Sequence, residues 1–122
     1  MIVTVELAAK KNAELGFPAL VGSERQIAWA EQIRYNLWVD KERRTKENEL
    51  AYSQARKEHG EEAEKQIERM EELFEKKCDK IFSQTSASAW IERRYELPRI
   101  LIGMHHSIAR GLGVKPYGYN VL

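Results

Sequence analysis

Residues 22–34 have the sequence GSERQIAWAEQIR, and this stretch decides the fold because it predicts where a long helix begins. Ser23 is a favoured N-cap residue, and Gln26 stands where its side chain can reach back to the Ser23 backbone N–H, which completes a capping box. Apolar residues then recur at Ala30, Ile33 and Leu37, the spacing of a helix face that packs against other helices. The stretch predicts a capped amphipathic helix and, by itself, no chemistry.

The helical pattern continues without proline or glycine to residue 58, and Gly60 is the predicted break. Between residues 40 and 80 the chain has 13 acidic and 11 basic residues, intermixed. The apolar seam is interrupted over residues 40–49, which disfavours a continuous coiled coil. We therefore expect residues 40–80 to form a charged antiparallel hairpin that protrudes from a compact base and mediates self-association or protein contact. The alternative is a solvated hairpin without a partner.

The remaining segments complete an all-α prediction. Residues 1–18 are rich in β-branched residues at their start, have no second strand to pair with, and are expected to form an extended or partly ordered arm. Residues 8–15 are equally consistent with one or two helical turns. Pro98 suits the first turn of a helix that runs from Arg99 to Arg110. Residues 114–122 predict an irregular tail. The chain is thus expected to be one helical domain over 1–122, with four to five helices.

Composition limits the classes of partner. The chain of 122 residues has 20 Lys and Arg against 19 Asp and Glu, a net charge of +1, which disfavours a nucleic-acid binder held by bulk charge. Residues 81–122 have five basic and two acidic residues, a local charge of +3. These basic side chains are the candidate nucleic-acid contacts: Arg93, Arg94, Arg99, Arg110 and Lys115.

Cysteine content and hydropathy indicate the compartment. The single cysteine, Cys78, excludes an internal disulfide and a cysteine-rich zinc site, which fits a reducing cytosol. The chain shows no signal-peptide pattern and no apolar run of the roughly 18 residues that a membrane span needs. We expect a soluble, cytoplasmic protein without a membrane partner.

Two segments, residues 20–34 (LVGSERQIAWAEQIR) and residues 85–94 (TSASAWIERR), together resemble a known group of proteins. They are similar to small, largely uncharacterised proteins of bacterial phages, plasmids and integrative elements. That group shares a capped Gly-Ser/Thr-x-x-Gln-x-x-Trp-Ala-x-x-Ile-Arg segment and a later Ala-x-Trp-Ile-Asp/Glu-x-Arg segment. The resemblance implies a mobile-element origin and an α-rich fold, and it supplies no activity. Its signature residues in this chain are Ser23, Gln26, Trp29, Arg34, Trp90 and Glu92.

The two signature tryptophans allow two interpretations. Trp29 and Trp90 would be stacking platforms for bases if they were exposed next to arginines. Large aromatic side chains favour burial, so we expect both indoles to pack in the core and Arg34 to pair with Glu92 across a helix contact.

The sequence offers no catalytic constellation. His105 and His106 are adjacent, and adjacent residues on a helix point about 100° apart, so they cannot both chelate one ion from a regular helix. Cys78 lies on an apolar seam, where a free cysteine behaves as a small hydrophobe. We expect no catalytic, cofactor-binding or metal-binding residues.

Two functions therefore remain. The first is a non-enzymatic binding protein of a mobile element that contacts another protein, such as host machinery of a defence system. The second is a DNA- or RNA-binding accessory factor that uses the basic C-terminal third.

Overall fold

The computed structural model describes residues 3–116, and over this range the chain forms helices and no strand. The prediction of an all-α fold is confirmed. No helix within the described range is long and apolar enough to cross a bilayer. Five α-helices follow one another along the chain: α1 (Val5–Glu14), α2 (Glu24–His59), α3 (Glu64–Phe82), α4 (Ala87–Glu92) and α5 (Glu96–Gly111).

The predicted capping box is present at the start of α2. The Gln26 backbone N–H donates to Ser23 Oγ over 3.2 Å, and the Ser23 N–H donates to Gln26 Oε1 over 3.0 Å. Two backbone donors that a helix start leaves without partners are thereby satisfied. The local sequence accounts for the position at which α2 begins.

The predicted hairpin forms at Gly60. This glycine has a φ of 59°, in the left-handed region that favours glycine, and it opens a 3₁₀ turn over Gly60–Ala63 that leads into α3. The pairs Arg56–Glu64, at 2.6 Å, and Lys41–Glu75, at 3.4 Å, join α2 to α3. Their spacing along the two helices shows that α2 and α3 are antiparallel.

The hairpin is not a free arm, because α5 packs along it. Tyr52 of α2 and Phe74 of α3 share one buried core with Leu101 of α5. A buried hydrogen-bonding contact of 2.8 Å joins Asn48 Oδ1 to His105 Nδ1 across α2 and α5. Alanines at three positions of the hairpin are almost fully buried and let the helices approach closely: Ala51, Ala55 and Ala63.

Within the expected N-terminal arm, Val5–Glu14 form the helix α1, so the helical alternative that the sequence left open for residues 8–15 applies in place of an extended arm. Thr4 caps this helix by accepting from the Leu7 N–H over 3.2 Å. The buried side chain of Asn12 donates from Nδ2 to the Glu31 carbonyl over 2.9 Å and so ties α1 to α2. This tertiary contact holds the helix in place. The β-branched residues at the start of the chain give no sign of it in the sequence.

The predicted irregular tail is described only in part. Val114 is buried and its N–H donates to the Ala109 carbonyl over 2.9 Å, just beyond the end of α5. Residues 117–122 of the predicted tail, and residues 1–2 of the predicted arm, lie outside the described range.

We expect Ser23→Ala to lower the free energy of unfolding by about 1 kcal/mol, because the Gln26 N–H loses its side-chain acceptor. Urea denaturation followed by circular dichroism measures the change. Ser53→Ala is the matched control, since Ser53 is exposed in the last two turns of α2, where alanine is a better helix former, and the change should not lower the midpoint. Equal midpoints for the two variants would show that the cap contributes nothing.

Candidate binding surface

The two segments that carry the resemblance meet in space through a short parallel backbone bridge. The Val21 N–H donates to the Thr85 carbonyl over 2.7 Å, and the Ala87 N–H donates to the Val21 carbonyl over 2.9 Å. At Gly22 the backbone passes so close to α4 that an added Cβ would lie 3.0 Å from the Ala87 Cβ. The start of α2 and the start of α4 are therefore held side by side.

Trp90 is a core residue, as expected. Its side chain is 1% exposed, and its indole Nε1–H donates to the Gln84 carbonyl over 2.8 Å. Its ring centroid lies 5.9 Å from that of Phe82. Phe17 and Trp38 extend this aromatic cluster, with Phe17 stacked on Phe82 at 5.0 Å.

The expectation that Trp29 is also a core residue is wrong, because its side chain is 46% exposed. The inward positions of α2 are Ala30, Arg34 and Leu37, which are buried at i, i+4 and i+7. Trp29 precedes Ala30 by one residue and so points about 100° away from it. The register of the helix overrides the general preference of tryptophan for burial.

Trp29 is instead covered in part by an arginine from the other segment. The Arg94 guanidinium carbon lies 4.9 Å from the centroid of the Trp29 ring and 4.6 Å from that of Tyr95. Arg94 Nη1 also donates to the Ile91 carbonyl over 2.6 Å, which holds the guanidinium in place. Tyr95 is 71% exposed. We call these three side chains the Trp29–Arg94–Tyr95 surface.

Tyr95 is the member of this surface that sequence reasoning missed. It stands between α4 and α5, at the N-cap of α5. The signal that points to it is its place directly after Arg93-Arg94, since arginine stacks on aromatic rings.

The expected Arg34–Glu92 pair is also wrong. Arg34 is 2% exposed, forms its ion pair with Glu31 on the preceding turn, and donates from Nη1 to the Pro18 carbonyl over 2.7 Å. Burial lowers the pKa of Arg34, and the Glu31 carboxylate opposes that shift. Glu92 is exposed, and no Arg34–Glu92 ion pair occurs within residues 3–116.

The five candidate basic residues do not form one patch. Arg93 and Arg94 lie between α4 and α5, just before α5 begins, and Arg93 pairs with Glu96 over 3.1 Å. Arg110 lies near the opposite end of α5, eleven residues beyond Arg99, which corresponds to about 16 Å along the helix axis. Lys115 follows the end of that helix.

Two side chains that could carry chemistry, Cys78 and His105, are buried in the core. Burial raises the pKa of Cys78 to about 12, so its thiol stays protonated at neutral pH and is a poor nucleophile. His105 is fully buried and contacts Asn48. Within the described part of the chain, no group of three or more His, Cys, Asp or Glu side chains is placed to hold a metal ion.

No protein-family model matches this chain, and no match was found among curated proteins or solved structures.

The two tryptophans should respond differently to substitution. Trp90→Ala should lower the free energy of unfolding by about 3–5 kcal/mol, because it leaves a large cavity. Trp29→Ala should cost about 1 kcal/mol, the size of an exposed cation–π contact. Urea denaturation measures both, and the fluorescence of the folded Trp29→Ala variant should shift to shorter wavelength because its most exposed indole is gone. Similar losses of stability would contradict this assignment.

Arg34 and Glu31 should be energetically coupled. Arg34→Ala should cost about 3–5 kcal/mol, because it strands the Glu31 carboxylate and the Pro18 carbonyl. A double-mutant cycle with Glu31→Ala should give a coupling energy of about 0.5–3 kcal/mol. The same cycle between Arg34 and Glu92 is the control and should be additive. Coupling to Glu92 instead would reinstate the pair expected from the sequence.

Proposed function

We propose that this chain is a non-enzymatic binding protein that contacts a protein partner through the Trp29–Arg94–Tyr95 surface. The observation that carries the proposal is the exposure of Trp29 and Tyr95 around a held arginine. Tryptophan, tyrosine and arginine are the side chains in which binding energy concentrates at protein interfaces. Arg94 is already ordered by two rings and a backbone carbonyl, so binding would cost little further side-chain entropy.

The local charge supports a protein partner. Around the surface, Arg25 shares the face of Trp29 on α2 at i and i+4, and Arg93 is paired with Glu96. Exposed Glu24 and Glu92 add negative charge nearby. This mixture of charges suits the polar rim of a protein interface more than the uniform positive field that nucleic acid requires.

The resemblance of residues 20–34 and 85–94 to phage, plasmid and integrative-element proteins supports a mobile-element origin. Those two segments build the proposed surface in this chain, since Trp29 comes from the first and Arg94 from the second. A protein of such an element acts inside a bacterial host, and its partner would then be host machinery, such as a component of a defence system.

A DNA- or RNA-binding accessory factor is the second candidate, and the exposure of Trp29 beside Arg94 favours it. An exposed indole flanked by arginines is the composition of a stacking platform for single-stranded nucleic acid. Arg99 lies at the same end of α5 as Arg93 and Arg94 and would add a phosphate contact. Separation of Arg110 and Lys115 from this group weakens the candidate.

Affinity capture from a bacterial host lysate, with and without nuclease, tests the proposal. The unaltered chain should retain a specific protein after nuclease treatment, and Trp29→Ala and Tyr95→Ala should each reduce that capture. A contact of hot-spot strength is worth about 2 kcal/mol, which is roughly thirtyfold in affinity. Leu50→Ala is the matched control, because Leu50 is an exposed apolar side chain of α2 in its C-terminal half.

The outcomes separate the two candidates. Two results together would establish the nucleic-acid function in its place. Nuclease would abolish the capture, and the chain would bind a single-stranded oligonucleotide with salt-dependent affinity that Trp29→Ala removes. Capture that survives nuclease and is equally strong for Trp29→Ala and Leu50→Ala would remove this surface from the function.

A further inference from the structure

An apolar groove runs between α3 and α5, and none of the residues that line it belongs to the Trp29–Arg94–Tyr95 surface. The two helices meet where Gln66 Nε2 donates to the Gly111 carbonyl over 2.8 Å, so the start of α3 contacts the end of α5. Beyond that contact they leave a cavity of about 460 Å³. Its apolar lining consists mainly of Met70, Leu73, Phe74, Ile100, Met104 and Ile108.

The groove is open to solvent, although it is lined by large apolar side chains of the kind usually found in a hydrophobic core. Leu73 is 48% exposed, and Met70, Ile100 and Met104 are only partly buried. Methionine side chains are flexible and polarisable, which suits surfaces that adapt to a partner. From Ile100 to Ile108 the α5 wall is about 12 Å long, enough for two turns of a docked helix.

The charges of α3 are separated into two stripes. Five acidic residues follow helical spacing on the edge that faces α2, where Glu64 pairs with Arg56 and Glu75 with Lys41. The full acidic stripe is Glu64, Glu68, Glu71, Glu75 and Asp79.

The basic side chains of α3 border the groove. Arg69, Lys76 and Lys80 share the exposed face of Leu73 at i, i+4, i+7 and i+11, and Lys77 itself lines the cavity. Lys76 is partly neutralised by Glu72 at 3.4 Å.

The opposite wall of the groove, on α5, is also bordered by positive charge. On α5, Arg99 and Arg110 share a face with Gly103, which lies on the groove wall. Glu96, the acidic residue of α5, is paired with Arg93, and Glu62 lines a separate cavity together with Arg110. An apolar floor between two basic rims is therefore complementary to an apolar stripe between two acidic edges.

We infer that this groove binds an acidic amphipathic helix of a partner protein. The partner presents apolar residues at i, i+3 or i+4, and i+7 to the groove, and glutamate or aspartate on both sides of that stripe to the basic rims. The site lies between α3 and α5, apart from the Trp29–Arg94–Tyr95 surface, so this inference goes beyond the proposed function.

Two other occupants fit the groove less well. A second copy that docked through the same face in a symmetric dimer would bring the basic rims of both copies together, and like charges oppose that contact. An anionic bilayer would satisfy the charges, but the apolar residues line a concave cleft, whereas a membrane-binding helix inserts a convex apolar face.

Fluorescence anisotropy with designed peptides tests the inference on the full chain. The probe is a fluorescein-labelled peptide of about 18 residues with leucine on one helical stripe and glutamate on both flanks. A matched peptide has lysine in place of each glutamate. The glutamate peptide should bind at least tenfold more tightly than the lysine peptide, and its affinity should fall with salt.

Gly103 provides a variant that fills the groove without threatening the helix. A Cβ placed there would meet nothing within 4 Å, and glycine is a poor helix former, so substitution should not lower the thermal midpoint. Gly103→Leu should weaken binding of the glutamate peptide by about tenfold or more, since its side chain occupies the cleft. The control, Gly103→Ala, should bind within about twofold of the unaltered chain.

Charge variants test the rim on α3. Lys77→Glu and Arg69→Glu should each weaken binding of the glutamate peptide and strengthen binding of the lysine peptide, because each replaces a positive charge of that rim by a negative one. Trp29→Ala should leave peptide affinity unchanged; a loss would place the peptide on the Trp29–Arg94–Tyr95 surface and overturn the inference.

Other results would also overturn it. Equal binding of the two peptides, or unchanged binding by Gly103→Leu, would show that groove and rims do not select an acidic helix. A sedimenting dimer that Gly103→Leu dissociates would assign the groove to a second copy. Groove-dependent binding to vesicles with anionic lipid, without peptide binding, would assign it to a bilayer.

Discussion

The backbone bridge between Val21 and the start of α4 is the constraint on which the rest of the structure depends. Two hydrogen bonds join segments that are more than sixty residues apart, and they satisfy backbone groups just before two capped helices. The bridge places Trp90 over the aromatic cluster and brings Arg94 to Trp29. Gly22 permits it, because its φ of 156° is one that other residues rarely adopt and an added Cβ would lie only 3.0 Å from the Ala87 Cβ. The same bridge therefore positions both the core around Trp90 and the Trp29–Arg94–Tyr95 surface.

Charge placement explains how a strongly charged hairpin belongs to a packed domain. Lys41 and Arg44 are buried with their stems against the helical core, and each has an acidic partner: Lys41 has Glu75, and Arg44 has Asp40 and Glu47. Burial raises the pKa of Glu47. Part of the attraction between Glu47 and Arg44 therefore offsets the cost of removing the two charges from water. The Arg44 pairs lie within α2, whereas the Lys41–Glu75 pair orients α2 against α3. Glu64 and Glu75 of the acidic stripe pair with α2, while the basic stripe of α3 is exposed to solvent along the groove.

The proposed surface and the inferred groove are both places where apolar side chains stay open to solvent. At Trp29, helix register leaves an indole outside and an arginine covers part of it. Along α3 and α5, two helices that touch near Gly111 leave a cleft that their own side chains do not fill. Neither exposes a single isolated residue, which would need no explanation. Each combines apolar area with ordered charge, the combination that gives both affinity and selectivity to a contact.

The sequence by itself determined the helical class, the Ser23 cap, the Gly60 turn and the burial of Trp90, because local hydrogen bonding and apolar spacing act within a few residues. It did not determine α1, since that helix is held by Asn12 and other contacts with α2. It also misplaced Trp29 and paired Arg34 with Glu92. Only the tertiary structure decided these points and the groove. One residue of helix register, about 100°, exchanges core for surface, and the approach of α3 to α5 depends on how both helices pack against α2.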